Sequence, residues 1–113
     1  MTSESIFTKI INGELPAEKV FENDRLIAIK DIHPVAPVHI LIISKKEIRD
    51  LQSITNDDLP LIGEIAEVAK TLAQRFGIAS GYRLLTNNGS TAGQTIHHLH
   101  FHLIGGRTLG PMA

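Results

Sequence analysis

The chain contains no cysteine and no tryptophan. Without cysteine, neither a disulfide framework nor a thiolate-ligated zinc site can form, and this usage is compatible with a reducing cytosol. No sign of charge dominates: 11 basic residues face 12 acidic ones, for a formal net charge of −1. No broad field therefore recommends a nucleic-acid or membrane partner. The small basic cluster Lys45-Lys46 with Arg49 reads as a solvated face. The apolar runs are far too short to span a bilayer. Met1-Thr2-Ser3-Glu4-Ser5 carries no positively charged segment followed by an apolar stretch. Internal repeats, low-complexity segments and domain linkers are also missing. With 113 residues and 42% hydrophobic content, the expectation is one compact domain over residues 1–113, soluble and cytoplasmic.

What the chain does have is concentrated near its C-terminus. From His98 onward histidines alternate with apolar residues: His98, His100 and His102 against Leu99, Phe101 and Leu103. Period two marks a half-buried strand, because successive side chains point to opposite faces. Leu99, Phe101 and Leu103 are expected in the core, with three imidazoles on the other face roughly 7 Å apart. Imidazole is the side chain that titrates near neutral pH, so such a row suits proton transfer, nucleophilic attack or metal binding. A single strand histidine is more often a surface or satisfied core residue. Three in register, from six in the chain, are harder to dismiss, and their spacing with large apolar residues is not that of a purification tag. Metal binding is the serious rival, but catalytic zinc usually needs a third protein ligand and partners behind it. Only His39 offers itself at a distance, and no acidic cluster obviously completes the set. The reading is no metal and no cofactor.

The rest of the chain supplies a frame. Ser5 is placed to cap a short helix through Ile6, Phe7, Ile10 and Ile11, stopped by Gly13. Lys19–Glu22 and Leu26–Ile29 read as strands joined at Asn23-Asp24, a pair suited to positive φ. Asp31 to Pro37 is a rigid loop, because Pro34 and Pro37 fix φ and exclude regular pairing. Val38–Ile43 is a nearly continuous apolar strand, and therefore central. His39 is its one polar side chain, either a buried histidine bonded to backbone or a neighbour of the other three. Thr55 to Asp58 looks like a helix start, with Thr three residues before an acid. A broad stripe of Leu61, Ile62, Ile65, Ala66, Val68, Ala69, Leu72, Ala73 and Phe76 follows, ending at Gly77. Gly81–Asn87 reads as a further strand. Asn88 to Thr95 is a polar, small-residue loop leading into the histidines, of the kind that lets backbone N–H groups converge on a phosphate. Five strands and two helices predict an α+β protein, an antiparallel sheet covered by helix on one face.

The run His98-Leu99-His100-Phe101-His102-Leu103-Ile104 resembles the signature of the histidine triad (HIT) superfamily. Further blocks are similar to its Hint branch, the histidine triad nucleotide-binding proteins. They include Ile6-Phe7 with Lys9-Ile10-Ile11, Asp24-Arg25, Asp31-Ile32 with Pro34, Ala36-Pro37 and His39, and Gly81-Tyr82-Arg83. Asn87, Gly89, Gly93-Gln94-Thr95 and Gly105-Gly106-Arg107 complete the series, which spans nearly the whole chain in order.

The resemblance implies a HIT-like fold and a homodimer whose two five-stranded sheets form one continuous ten-stranded sheet. It implies hydrolysis of the P–N bond of purine nucleoside phosphoramidates through a nucleotidyl-histidine intermediate. His100 would be the nucleophile, His102 would bond phosphoryl oxygens or assist the leaving group, and His98 and His39 would orient them. Asp31 would accept from the ribose hydroxyls. Ile6, Phe7, Ile10 and Ile29 would contact the base, Gly93, Gln94 and Thr95 the phosphate, and Ile32 and Asn87 would belong to the same nucleotide-binding set. His97, on the opposite face, is assigned to packing. Two features depart from the Hint pattern. Asn88 and Ser90-Thr91-Ala92 lack acids that relatives carry, and the tail Thr108–Ala113 has no tryptophan. Both bear on leaving-group preference. Dinucleoside polyphosphate hydrolysis and a nucleotide-binding regulatory module are the alternatives that the same residues allow.

Overall fold

The computed structural model describes residues 4–113. Five strands form one antiparallel sheet: β1 (Lys19–Glu22), β2 (Leu26–Lys30), β3 (Val38–Ser44), β4 (Tyr82–Leu85) and β5 (His100–Gly105). Their spatial order is β1-β2-β3-β5-β4, which puts β3 at the centre as its apolar sequence predicts. Helix α1 is Ile6–Ile11 and helix α2 is Leu59–Arg75.

The helices lie on opposite faces, which corrects the expectation of a sheet covered on one face. Leu26, Ala28, Ile40, Ile42 and Leu103 pack with Ile65, Val68, Ala69 and Leu72 of α2. Ile27, Ile29, Leu41 and Ile43 pack with Phe7 and Ile10 of α1. The two sets alternate along β2 and β3, so both parities are apolar and no period-two signal survives there. Burying an aliphatic side chain of this size contributes roughly 1.5–3 kcal/mol, so both helices are held mainly by this packing. Within α2, Ala66 is exposed and falls outside the buried stripe.

Local chemistry sets the ends of the elements. Ser5 caps α1, its hydroxyl oxygen accepting from Thr8 N–H at 3.0 Å. Thr55 N–H donates to Asp58 Oδ2 at 2.9 Å before α2 begins. The β1–β2 turn does not use positive φ, which among the described residues only glycines adopt. Instead Asn23 Oδ1 accepts from the N–H groups of Arg25 and Leu26, at 2.9 and 2.8 Å. This side-chain turn needs no left-handed backbone. Among the described residues no helix is long and apolar enough to cross a membrane.

Candidate active site

The sheet register decides which histidines meet. Leu41 of β3 pairs with His102 of β5, and Ile43 with His100. Side chains of paired residues share a face, so His100 and His102 stand on the α1 face beside His39. Phe101 and Leu103 point to α2, as the alternation predicts. The rings of His100 and His102 are 5.2 Å apart, and those of His39 and His102 likewise 5.2 Å. Phe7 of α1 meets His100 edge-on at 4.9 Å.

His98 precedes β5 and is fully buried, with its ring on the α1 side, where it meets Phe7 edge-on at 5.8 Å. Its Nε2 lies 2.7 Å from the Ser44 carbonyl. A carbonyl only accepts, so Nε2 carries the proton. His100 Nδ1 lies 2.7 Å from the His98 carbonyl and by the same logic is the protonated nitrogen. The Nε2 of neutral His100 therefore holds a free electron pair.

His39 and His102 have an equally determined order. Val35 N–H donates to His39 Nδ1 at 3.1 Å, which leaves the ring proton on Nε2. That nitrogen lies 2.9 Å from His102 Nδ1 and 3.3 Å from Asp31 Oδ2. With Nδ1 of His102 accepting, its own proton sits on Nε2. Burial pushes all four imidazoles below their ordinary value. The effect is largest for His102, brought to about 4 by desolvation first and then by the charges of His100 and His39. All four rings are therefore neutral at neutral pH.

Asp31 is held by the loop it opens. Its N–H donates to the His39 carbonyl at 2.9 Å, and its Oδ1 accepts from His33 N–H at 2.7 Å. Arg107 fastens the same loop by donating to the Val35 carbonyl at 2.8 Å. Asp31, His39 and His102 bring ligand atoms within 4.8 Å of one another, so the acid missing from the sequence reading of a metal set is present in space. The donor chemistry fits a cation poorly. With Val35 N–H on Nδ1, a metal on Nε2 of His39 would require a ring stripped of both protons. The cluster suits a directed chain of protons.

Beside it opens a cavity of about 560 Å³, lined by Ile6, Phe7, Ile10, Ile29, Asp31, Ile32, His39 and Thr95 among others. Phe7, Ile10, Ile29, Leu41 and His39 of its lining are buried, while Ile6 and Ile32 are exposed. Asn87, Gly93 and Gln94 do not line it. The loop that carries them corrects the expected row of free amides. Gly93 N–H donates to Ser90 O at 3.0 Å and Gln94 N–H to Gly89 O at 3.1 Å. The buried Gln94 side chain accepts from Gly89 N–H and donates to the Arg49 and Ile96 carbonyls. It shapes the loop, and both of its amide protons are committed there. Gly93 makes the turn possible with φ of 97°, a conformation costly to other residues. Thr95 remains exposed beside the cavity. His97 is also exposed, so it does not pack as expected.

Sequence reading missed Ser5, Thr8 and Glu47 as neighbours of His98. Ser5 Oγ lies 2.5 Å from His98 Nδ1, and Glu47 Oε1 accepts from Ser5 N–H and from the Thr8 hydroxyl, both at 2.9 Å. Ser5 was legible as a helix cap, but nothing in the sequence links it to residues 42 and 93 positions away.

An antiparallel sheet presenting three histidines beside a fourth, next to an apolar cavity with one carboxylate, defines a class of protein that comparison makes specific. The model of the HIT domain matches residues 12–109, and the chain belongs to this family. It is 51% identical over 109 residues to a HIT-like protein of Chlamydia pneumoniae, covering 96% of this chain and 99% of that one. A HIT family hydrolase from Clostridium thermocellum superposes with a TM-score of 0.93 at 46% identity, covering 98% of this chain and 97% of the other. A histidine triad nucleotide-binding protein from Candida albicans gives a TM-score of 0.81 at 34% identity, covering 97% and 85% respectively.

Proposed function

We propose that this chain is a Hint-branch enzyme that hydrolyses the P–N bond of purine nucleoside 5′-phosphoramidates. The observation that carries the reading is the fixed tautomer of His100, whose Nδ1–H is committed to the His98 carbonyl at 2.7 Å. Its Nε2 pair attacks the phosphorus, a His–P bond forms and the P–N bond to the amine breaks. As His100 becomes cationic in the adduct, its bond to the His98 carbonyl becomes charge-assisted and stronger. His102 Nε2–H, backed by His39, hydrogen-bonds the phosphoryl oxygens or the departing nitrogen. Where His102 gives its Nε2 proton to the departing amine, water then displaces His100: its oxygen bonds phosphorus with one proton, giving the nucleoside monophosphate, and its other proton returns to His102. Splitting the displacement into two steps is the general advantage of a covalent intermediate.

In the same reading the cavity walled by Phe7, Ile10 and Ile29 takes the base, with Ile6 and Ile32 closing on it. Asp31 accepts from the ribose hydroxyls. Thr95 and Asn87 face the phosphate, with Gly93 and Gln94 serving through the shape of the loop. An apolar clamp reads the face of a purine better than its edge, so adenine and guanine are discriminated weakly. The hydrolase and nucleotide-binding names of similar proteins support this reading. The enzyme works as one domain over residues 1–113 in the cytoplasm, and as a homodimer. A second copy joined along the free edge of an outer strand would extend the sheet to ten strands.

The test is turnover of an adenosine phosphoramidate compared with a dinucleoside polyphosphate, with AMP binding measured alongside. Preferential cleavage of the P–N substrate supports the proposal. Preferential cleavage of the polyphosphate would assign the alternative reaction. AMP binding without turnover of either would leave a binding module.

A further inference from the structure

We propose that Ser5 is a positioning residue for His100, acting through His98, so that the helix walling the base cavity also sets the tautomer of the histidine whose carbonyl orients the nucleophile. The inference rests on the reading of His100 as nucleophile.

His98 is fully buried, and burial holds its ring neutral. Its one proton is spent on the Ser44 carbonyl at 2.7 Å. Nδ1 is thus a bare acceptor in a dry site, where an unmet polar atom is costly. Two hydroxyls are in reach: Ser5 at 2.5 Å and Thr8 at 3.5 Å. The Thr8 proton goes to Glu47 Oε1 at 2.9 Å. Ser5 Oγ already accepts from Thr8 N–H at 3.0 Å, so the Ser5 proton is the one free to meet Nδ1. Thr8 Oγ1, 3.1 Å from Ser5 Oγ, is the other acceptor for it. Choosing Thr8 would leave two lone pairs facing each other between Ser5 and His98. Glu47 also takes Ser5 N–H at 2.9 Å, which fixes the cap residue from outside.

The direction is therefore set at every link. Glu47 anchors Ser5 and Thr8, Ser5 donates to His98, His98 donates to Ser44, and the carbonyl of His98 receives His100 Nδ1–H. Glu47 Oε1 stands 3.9 Å from His98 Nδ1 itself, but a neutral ring makes no ion pair there. Its influence passes through the two hydroxyl residues. Without the Ser5 proton, His98 can relieve Nδ1 only by moving its own proton or turning its ring. Either shifts the segment whose carbonyl orients His100.

The experiment is a long-range ¹H–¹⁵N correlation on the wild-type chain labelled in its histidines, with kinetics of Ser5→Gly and Ser5→Thr. The expected spectrum shows His98 protonated at Nε2 with Nδ1 a hydrogen-bonded acceptor, and His100 protonated at Nδ1. Glycine is tolerated at a helix cap but brings no hydroxyl. Ser5→Gly should therefore lower kcat on the order of tenfold, the scale of a small misplacement of a reacting group. KM should change much less, and Ser5→Thr should restore both kcat and the spectrum. A wild-type His98 carrying its proton on Nδ1 would overturn the proposal. So would equal loss in the Gly and Thr variants, or a change confined to KM. Should wild type fail to cleave phosphoramidates, the functional reading falls, while the spectrum still decides whether Ser5 sets the His98 tautomer.

Discussion

His39 Nε2 lies 2.9 Å from His102 Nδ1, and the Val35 amide on the far side of His39 fixes the direction of that bond. A backbone N–H cannot accept a proton, so His39 must donate towards His102, and His102 must present Nε2–H to the open site. The loop backbone thus decides the protonation of a ring on β5.

His102→Ala removes that donor. The loss should fall in kcat, within the roughly 10²–10⁴-fold typical of acid–base assistance. It should be smallest for amines of low basicity, which need little protonation to leave. A series of leaving amines assayed with wild type and variant would show this as a variant rate that depends more steeply on amine basicity.

In the proposed reading Asp31 acts on binding, through the ribose hydroxyls. Hydrogen bonds to a charged group contribute about 1.5–3 kcal/mol, so Asp31→Asn should weaken AMP binding by about one to two orders of magnitude. A 2′-deoxynucleotide should lose much less on the same substitution, because it lacks one of the hydroxyls read by the carboxylate. Calorimetric titration of both ligands checks the pair.

The depressed imidazoles predict two pH effects. In the proposed mechanism protonating His100 removes the attacking pair, and burial lowers its pKa. The acid limb of kcat/KM should therefore lie below the ordinary imidazole value of about 6.5. Stability should respond as well. A ring whose pKa is lower in the folded state than in the unfolded chain makes unfolding take up protons. For His102 the window runs from 6.5 down to about 4. Its contribution is fully present above that window and is lost as pH falls through it. Urea midpoints measured across the window should decline, and more shallowly in His102→Ala.

Gly106 has φ of 98°, and a Cβ there would sit 2.9 Å from Cβ of Pro37. Gly106→Ala combines backbone strain with a clash against a rigid ring, at a cost of about 1–3 kcal/mol. Pro37 ends the loop that carries Asp31 and Val35, so a lower Tm should be accompanied by a higher KM.

Much of this was legible in the residues. The five strands, both helices, the central position of β3 and the orientation of His100 and His102 follow from periodicity and cap chemistry. Three things did not. The two-faced cover of the sheet is hidden because β2 and β3 are apolar at both parities. His98 lies just before the strand, where its Nε2–H donates to the Ser44 carbonyl, a tertiary contact that alternation does not reveal. The Gly93-Gln94 amides looked available for phosphate, but are consumed by a turn whose hydrogen bonds no composition rule predicts. The chemistry-bearing residues could be named from sequence, but their protonation order required the fold.

The bond proposed between His100 Nε2 and phosphorus can be trapped. Rapid quench of wild type with an adenosine phosphoramidate should trap an acid-labile, hydroxylamine-resistant adduct on His100. His100→Ala should form none, and should lose kcat while still binding AMP, because base and ribose contacts hold ground and transition states alike. Near-native turnover in His100→Ala, or an adduct on another residue, would contradict the account.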